Sequence, residues 1–138
     1  MIDLSQYFYN PGYGWYQVET TLRGQRVIVY VSGRGSNDTA ALSQRVNQDI
    51  DWITQHYDAI LDYSVEQLLP DKNADWVDEP GKVTTPDEFK APMRLGALRF
   101  HEDKQIEMTF TAGKLFWGHW IVIWLDGNYQ MTKAYLEG

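Results

Sequence analysis

Between residues 39 and 69 the chain has no glycine and no proline, and apolar residues recur at Leu42, Val46, Ile50, Ile53, Tyr57, Ile60, Leu61, Val65 and Leu68. Spacings of three and four keep one side of a 3.6-residue period apolar, so the stretch predicts one long helix or two joined by a kink. Such a helix buries only a stripe of its surface and needs a second layer to bury it against. Ser36, Asn37 or Asp38 can cap its start by accepting from the first free N–H groups, and Pro70 is expected to end it.

Both flanks change period. "GWYQVETTLRGQRVIVYVS" (14–32) reads as two β-rich runs around "RGQ", with Val27, Val29 and Val31 alternating on one face, which predicts a hairpin. After the helix, "PDKNADWVDEPGKVTTP" is a polar, turn-rich connector in which Trp76 looks like an anchor. "TTPDEFKAPM" offers a Thr cap, a proline at the first helical position and acids in the first turn, so a short helical turn is expected over 86–90, limited by Pro92. The last third alternates, with strands expected near 94–100, 105–111, 118–125 and 129–135, separated by "HEDK", "AGKLFW" and "DGN". Links this short suit antiparallel neighbours. The expected fold is therefore α+β: an N-terminal β-hairpin, a long helix, straight or kinked, and a four-stranded antiparallel meander, with the helix packed on one sheet face.

At 138 residues the chain is expected to be one domain spanning 1–138. A domain of that size buries roughly 70% of the surface its unfolded form exposes, enough for a core without a staple. None is available through sulfur, because there is no cysteine, which also excludes thiolate metal sites and cysteine nucleophiles. No basic leader followed by an apolar run opens the chain, and no apolar run is long enough to span a bilayer, so a cytoplasmic location is expected. Charge is unevenly spread: residues 1–35 carry three basic and two acidic side chains, 36–92 four and twelve, and 93–138 five and five. Binding to phosphate backbones or anionic lipid needs clustered Lys and Arg, so neither nucleic acid nor a membrane is an expected partner.

Two surfaces stand out. Along 117–125 the alternation puts Trp117, His119, Ile121, Ile123 and Leu125 on one face and Gly118, Trp120, Val122 and Trp124 on the other. Neither face is polar. The second is either covered by loops and the N-terminal "YFYNPGYGWY", or it is an interface, in which case Trp120 and Trp124 would bind a partner or a second copy in a homodimer. The other surface is acidic: on a helix at 100° per residue, Asp51, Asp58, Asp62 and Glu66 fall within an arc of about 80° opposite the apolar stripe. No Lys or Arg lies between residues 46 and 71 to pair with them. These carboxylates are candidate contacts for a basic protein partner, against the plainer reading of a solvated helix face.

Catalytic signals are sparse. "VSGRGSND" has a strand, G-x-G and a helix start, but Asp38 stands at the third glycine position and would repel pyrophosphate, so the stretch reads as a turn and a cap. His56, His101 and His119 lack metal-site spacing, and Asp58, Asp62 and Glu66 on one straight helix cannot wrap an ion, so no metal and no cofactor are expected. No G-x-S-x-G elbow is present. His119 remains as the catalytic candidate, if Glu102 or Asp103 folds beside it. The aromatic content also permits sugar stacking, although core tryptophans explain the same residues.

The stretch "AGKLFWGHWIVI" resembles that of a bacterial family catalogued as domain of unknown function 2262, which carries a D-G-x-L-F-W-G-H-x-I-x-V pattern late in the chain. The likeness extends through "LLPDKNADW", "TTPDEF", "RLGALRF" and "GWYQVETTLRGQRVIVYV". Ala112 stands where the family usually has Asp, and Trp120 occupies a variable position. The resemblance implies a fold and no assigned activity; families of this kind occur near toxin and immunity genes. The sequence is therefore read as a non-enzymatic protein-binding module, in its specific form an immunity-type protein neutralising a basic toxin. The alternative is a small-ligand or hydrolytic domain centred on the Gly118–His119 strand.

Overall fold

A computed structural model describes residues 1–34 and 36–138, and among them the chain forms seven strands and three helices. Gly35, the second glycine of the G-x-G stretch, lies outside the described residues. Strands β1 (Tyr9–Asn10), β2 (Trp15–Leu22) and β3 (Gln25–Ser32) open the chain. β2 and β3 pair around Arg23 and Gly24, both left-handed with φ of 51° and 78°, a two-residue turn whose twist matches the strands.

Helix α1 (Thr39–Gln55) begins after Asp38, whose side chain accepts from the Ala41 N–H. The helical stretch breaks at His56, and α2 (Tyr57–Asp75) follows. It does not end at Pro70. A proline forfeits one N–H bond, and here the exposed Pro70 is outweighed by ties further on. Buried Lys72 donates to the Trp76 carbonyl, and the Asn73 amide exchanges hydrogen bonds with the Thr84 backbone at 2.8 and 3.1 Å. Short α3 (Pro86–Lys90) is held by a capping box between Thr85 and Glu88. Strands β4 (Arg94–Phe100), β5 (Ile106–Thr111), β6 (Trp120–Leu125) and β7 (Met131–Glu137) complete the chain.

The expected architecture is corrected here. The molecule is α+β overall, but the hairpin and the later strands are not separate pieces, and there is no free-standing four-stranded meander. One mixed sheet runs β1-β2-β3-β4-β5-β6-β7, and β4 lies parallel to β3 with Ile28 opposite Ala97 and Val31 opposite Phe100. A parallel pair needs a long crossover, which the helical stretch supplies. Alternation shows which side chains share a face, and carries no information about which strand is the neighbour.

The register builds the core as rows. Val18, Val29, Leu98, Met108 and Ile123 lie side by side across five strands, all essentially inaccessible to solvent. Val46, Ile53, Ile60, Leu61 and Leu68 of α1 and α2 belong to the same cluster, so the helices cover this face. Each such fully buried aliphatic side chain contributes about 1.5–3 kcal/mol.

Candidate functional site

The residues between those rows point to the other face. One row reads Gln17, Tyr30, Arg99, Glu107, Trp124 and Lys133, and the next Glu19, Ile28, Ala97, Thr109, Val122 and Tyr135. The N-terminal segment does not lie across them: β1 runs beside β2 at the sheet edge, and the Leu4 N–H is held by Ser43 of α1. Trp15 meets Tyr30 and His101 edge-on, at 6.4 and 5.5 Å between centroids, and His101 stacks on Trp124 at 5.1 Å and 15°. Lys133 places its ammonium 4.7 Å above the Trp124 ring, and the Trp124 indole N–H donates to the Tyr135 hydroxyl at 3.0 Å. The Arg99 guanidinium sits 4.4 Å over Tyr30, and His101 Nε2 bonds Glu107 Oε1 at 3.0 Å. Cations over ring faces and edge-to-face rings are both attractive, so the array is a connected, partly exposed platform.

Trp120 and Trp124 are both on this open face, as the alternation expects, but they differ. Trp124 is hemmed in, by His101 from the β5 side and Lys133 from the β7 side, so its ring faces are not free for sugar stacking. Trp120 is 50% exposed. Val122 between them is fully buried by its neighbours. Trp117, Gly118 and His119 precede the strand in a turn and belong to neither face.

The acidic line is broken up by the fold. Asp51 is on α1, while Asp58, Asp62 and Glu66 are on α2 beyond the His56 break. All four are exposed, yet Arg23 from the β2–β3 turn comes within 3.9 Å of Asp58, and Lys90 of α3 bonds Asp62 at 2.8 Å. That contact with Asp62 raises the Lys90 ammonium above its usual range. The counter-charges missing from the helix itself arrive from elements distant in sequence.

His119 is half-buried, with Nδ1 2.8 Å from the Phe116 carbonyl and its ring 5.2 Å from Trp76. Among the described residues no carboxylate is hydrogen-bonded to it, and Glu102 and Asp103 lie exposed in the β4–β5 turn. Trp76 is the hub of a cluster with Phe116, Trp117 and His119 at 5.6, 4.8 and 5.2 Å. The Trp117 indole donates to Asp78 at 3.0 Å, which holds that carboxyl below its usual range, and Lys72 adds an ion pair at 3.4 Å. The "LFWGH" stretch thus clasps the end of α2 to the sheet.

A cleft that the sequence reading missed opens beside α1, with a volume of about 190 Å³, lined by Arg45, Asp49, Lys104, Ile106, Asp126 and Tyr129 among others. Asp49 is only 8% exposed and accepts the Tyr129 hydroxyl at 2.6 Å. That bond, with burial second, pushes the phenol up to about 12. Tyr129 lies flat on Trp52 at 4.7 Å, and Trp52 on His56 at 4.1 Å. The signal was available: Asp49 falls between Val46, Ile50 and Ile53, where an acid interrupts the helix's apolar stripe.

With this geometry in place the chain can be assigned: it belongs to the family described as uncharacterized protein conserved in bacteria (DUF2262), whose model matches residues 2–136. No curated protein and no solved structure matches it. Among the described residues no helix is long and apolar enough to cross a membrane.

Proposed function

We propose that this bacterial protein is a non-enzymatic binding module that takes a basic protein partner on the open face of its sheet. The observation that carries the reading is the platform of Trp15, Tyr30, His101, Trp124 and Tyr135, left uncovered while the opposite face is sealed by helices. Aromatic rings and arginine dominate binding hot spots because they bury large area at low entropic cost. Strands β2 to β7, spaced about 4.8 Å apart, make a face roughly 24 Å wide, which suits an interface of about 800 Å² per partner. A net charge of −7 favours a basic partner by steering its approach. An immunity-type role, in which a basic toxin is neutralised by occlusion, is the specific form of this reading, and a cytoplasmic location goes with it. The alternative centred on His119 has less support, because that ring bonds a backbone carbonyl within a structural cluster.

The test compares three immobilised proteins in extract from the source bacterium: wild type, Trp120→Lys, and Asp51→Asn with Glu66→Gln. The expected result is a basic protein retained by the first and third and lost by the second, with the Trp120→Lys melt within about 2 °C of wild type. Retention by Trp120→Lys overturns the assignment to this face. If the wild type sediments as a dimer and Trp120→Lys as a monomer, the occupant is a second copy, and the basic-partner reading fails.

A further inference from the structure

Two hairpin turns at the same end of the sheet share one geometry. In the β4–β5 turn Lys104 N–H donates to the His101 carbonyl and His101 N–H to Gln105; in the β6–β7 turn Tyr129 N–H donates to the Asp126 carbonyl and Asp126 N–H to Gln130. In both, the residue before the returning pair is left-handed, Lys104 at φ 70° and Tyr129 at φ 61°. Glycine is the residue that takes this seat without strain, and side chains held there persist where the surrounding structure over-determines them. Both strained residues line the cleft beside α1.

The polar groups of that cleft are incompletely used. Arg45 donates through one Nη to the His101 carbonyl at 3.1 Å, but its buried Nε has no hydrogen-bond partner and stands 3.6 Å from Asp49 Oδ2. A buried donor left unpaired in a native structure calls for an explanation, and here the guanidinium is only partly used by its neighbours. Lys104 makes none of the ion pairs among the described residues. Asp49 gives Oδ1 to Tyr129, and Asp126 gives Oδ1 to the Asn128 and Gln130 N–H groups; among the described residues Oδ2 of each accepts no hydrogen bond, and that of Asp49 has only the 3.6 Å ion pair with Arg45. Two cations and two carboxylates thus line one small space whose remaining walls are Ile106, Gly127 and Tyr129.

We propose that this cleft binds a free α-amino acid, with its carboxylate on the Arg45 guanidinium and the Lys104 ammonium and its own ammonium on the carboxylates of Asp49 and Asp126. Balanced charge gives a simple anion or a simple cation no advantage, and rewards a ligand that carries both signs. The volume, about 190 Å³, lies below the roughly 300–1,000 Å³ of drug-sized pockets and fits a molecule of this size. The ligand also accounts for the strain: glycine at both turns would relax the backbone and remove the ammonium and the ring that the ligand needs. This site is separate from the open face and does not depend on the protein-binding reading.

The test is thermal-shift and calorimetric titration of the full chain with each of the twenty amino acids, with the amine and the acid analogue of any that binds, and with inorganic phosphate. The expected result is saturable binding of at least one amino acid below about 10 mM, with each single-charge analogue weaker by at least about tenfold. Lys104→Gly should melt at or above the wild-type temperature and bind at least about tenfold less tightly, a separation of stability from binding that a structural lysine would not show. Arg45→Met provides a second binding variant. No binding by any amino acid, equal binding of phosphate or of a single-charge analogue, or undiminished binding by Lys104→Gly would each overturn the proposal.

Discussion

One sheet with two unlike faces organises this molecule. On the covered face, rows such as Val18, Val29, Leu98, Met108 and Ile123 are aliphatic, and two helices seal them. On the open face many side chains are instead aromatic or charged, of both signs, and hold one another through stacking, cation–π contacts and hydrogen bonds. The covered face derives its stability from removing apolar area from water, which is non-directional. Among the described residues the open face has no second layer and depends on directional contacts between neighbours, which leaves ring edges and charges partly exposed. Burial and availability have been divided between the two sides of the same strands.

The largest effect should come from the covered side. Ile123→Ala removes a fully buried side chain at the centre of a row and should cost about 2–5 kcal/mol in urea unfolding, because the cavity cannot fully collapse. One residue along the same strand, Trp124→Ala deletes a larger side chain and should cost less, about 1–2 kcal/mol, since it loses stacking and one hydrogen bond beside solvent. If Trp124→Ala destabilises as much as Ile123→Ala, the open face is core and the contrast fails.

The contrast was partly legible in the sequence. The alternation from Trp120 to Leu125 assigns each residue to its side, and Asp38 and the long apolar period locate α1. Illegible were the contacts between distant segments. The parallel pairing of β3 with β4 leaves no local trace, and Pro70 reads as a stop because the ties made by Lys72 and Asn73 lie outside any local window. His101 found Glu107 rather than any partner for His119, since hairpin register decides which carboxylate faces which ring. The cleft depends on two turns and a helix meeting, and its one local sign was an acid in an apolar stripe.

An intermediate effect belongs to Asp49 and Tyr129, where the covered layer admits a polar pair. The phenol is raised from 10.0 to about 12 in the folded chain. The folded state therefore holds this proton more tightly than the unfolded state. The contribution is fully present below about pH 10 and is lost as pH rises towards about 12. Tyr129→Phe should cost about 1 kcal/mol at neutral pH. It should also flatten the alkaline part of the stability profile, measured by urea unfolding from neutral pH upward. A profile unchanged by Tyr129→Phe would mean that this bond adds nothing to folding.

The smallest effects lie on the helical surface, where they separate paired from unpaired carboxylates. Asp62 bonds Lys90 at 2.8 Å and Asp58 is 3.9 Å from Arg23, whereas Asp51 and Glu66 make none of the ion pairs among the described residues. An exposed carboxylate without a counter-charge gives up nothing when neutralised, and with like charges nearby it gains slightly. Asp51→Asn with Glu66→Gln should therefore leave the melting temperature unchanged or a little higher, while Asp62→Asn should lower it through the lost link between α2 and α3. In about 1 M salt, where charges are screened beyond roughly 3 Å, the difference between the two variants should shrink. A drop of equal size in both would mean that the outer acids are as structural as Asp62.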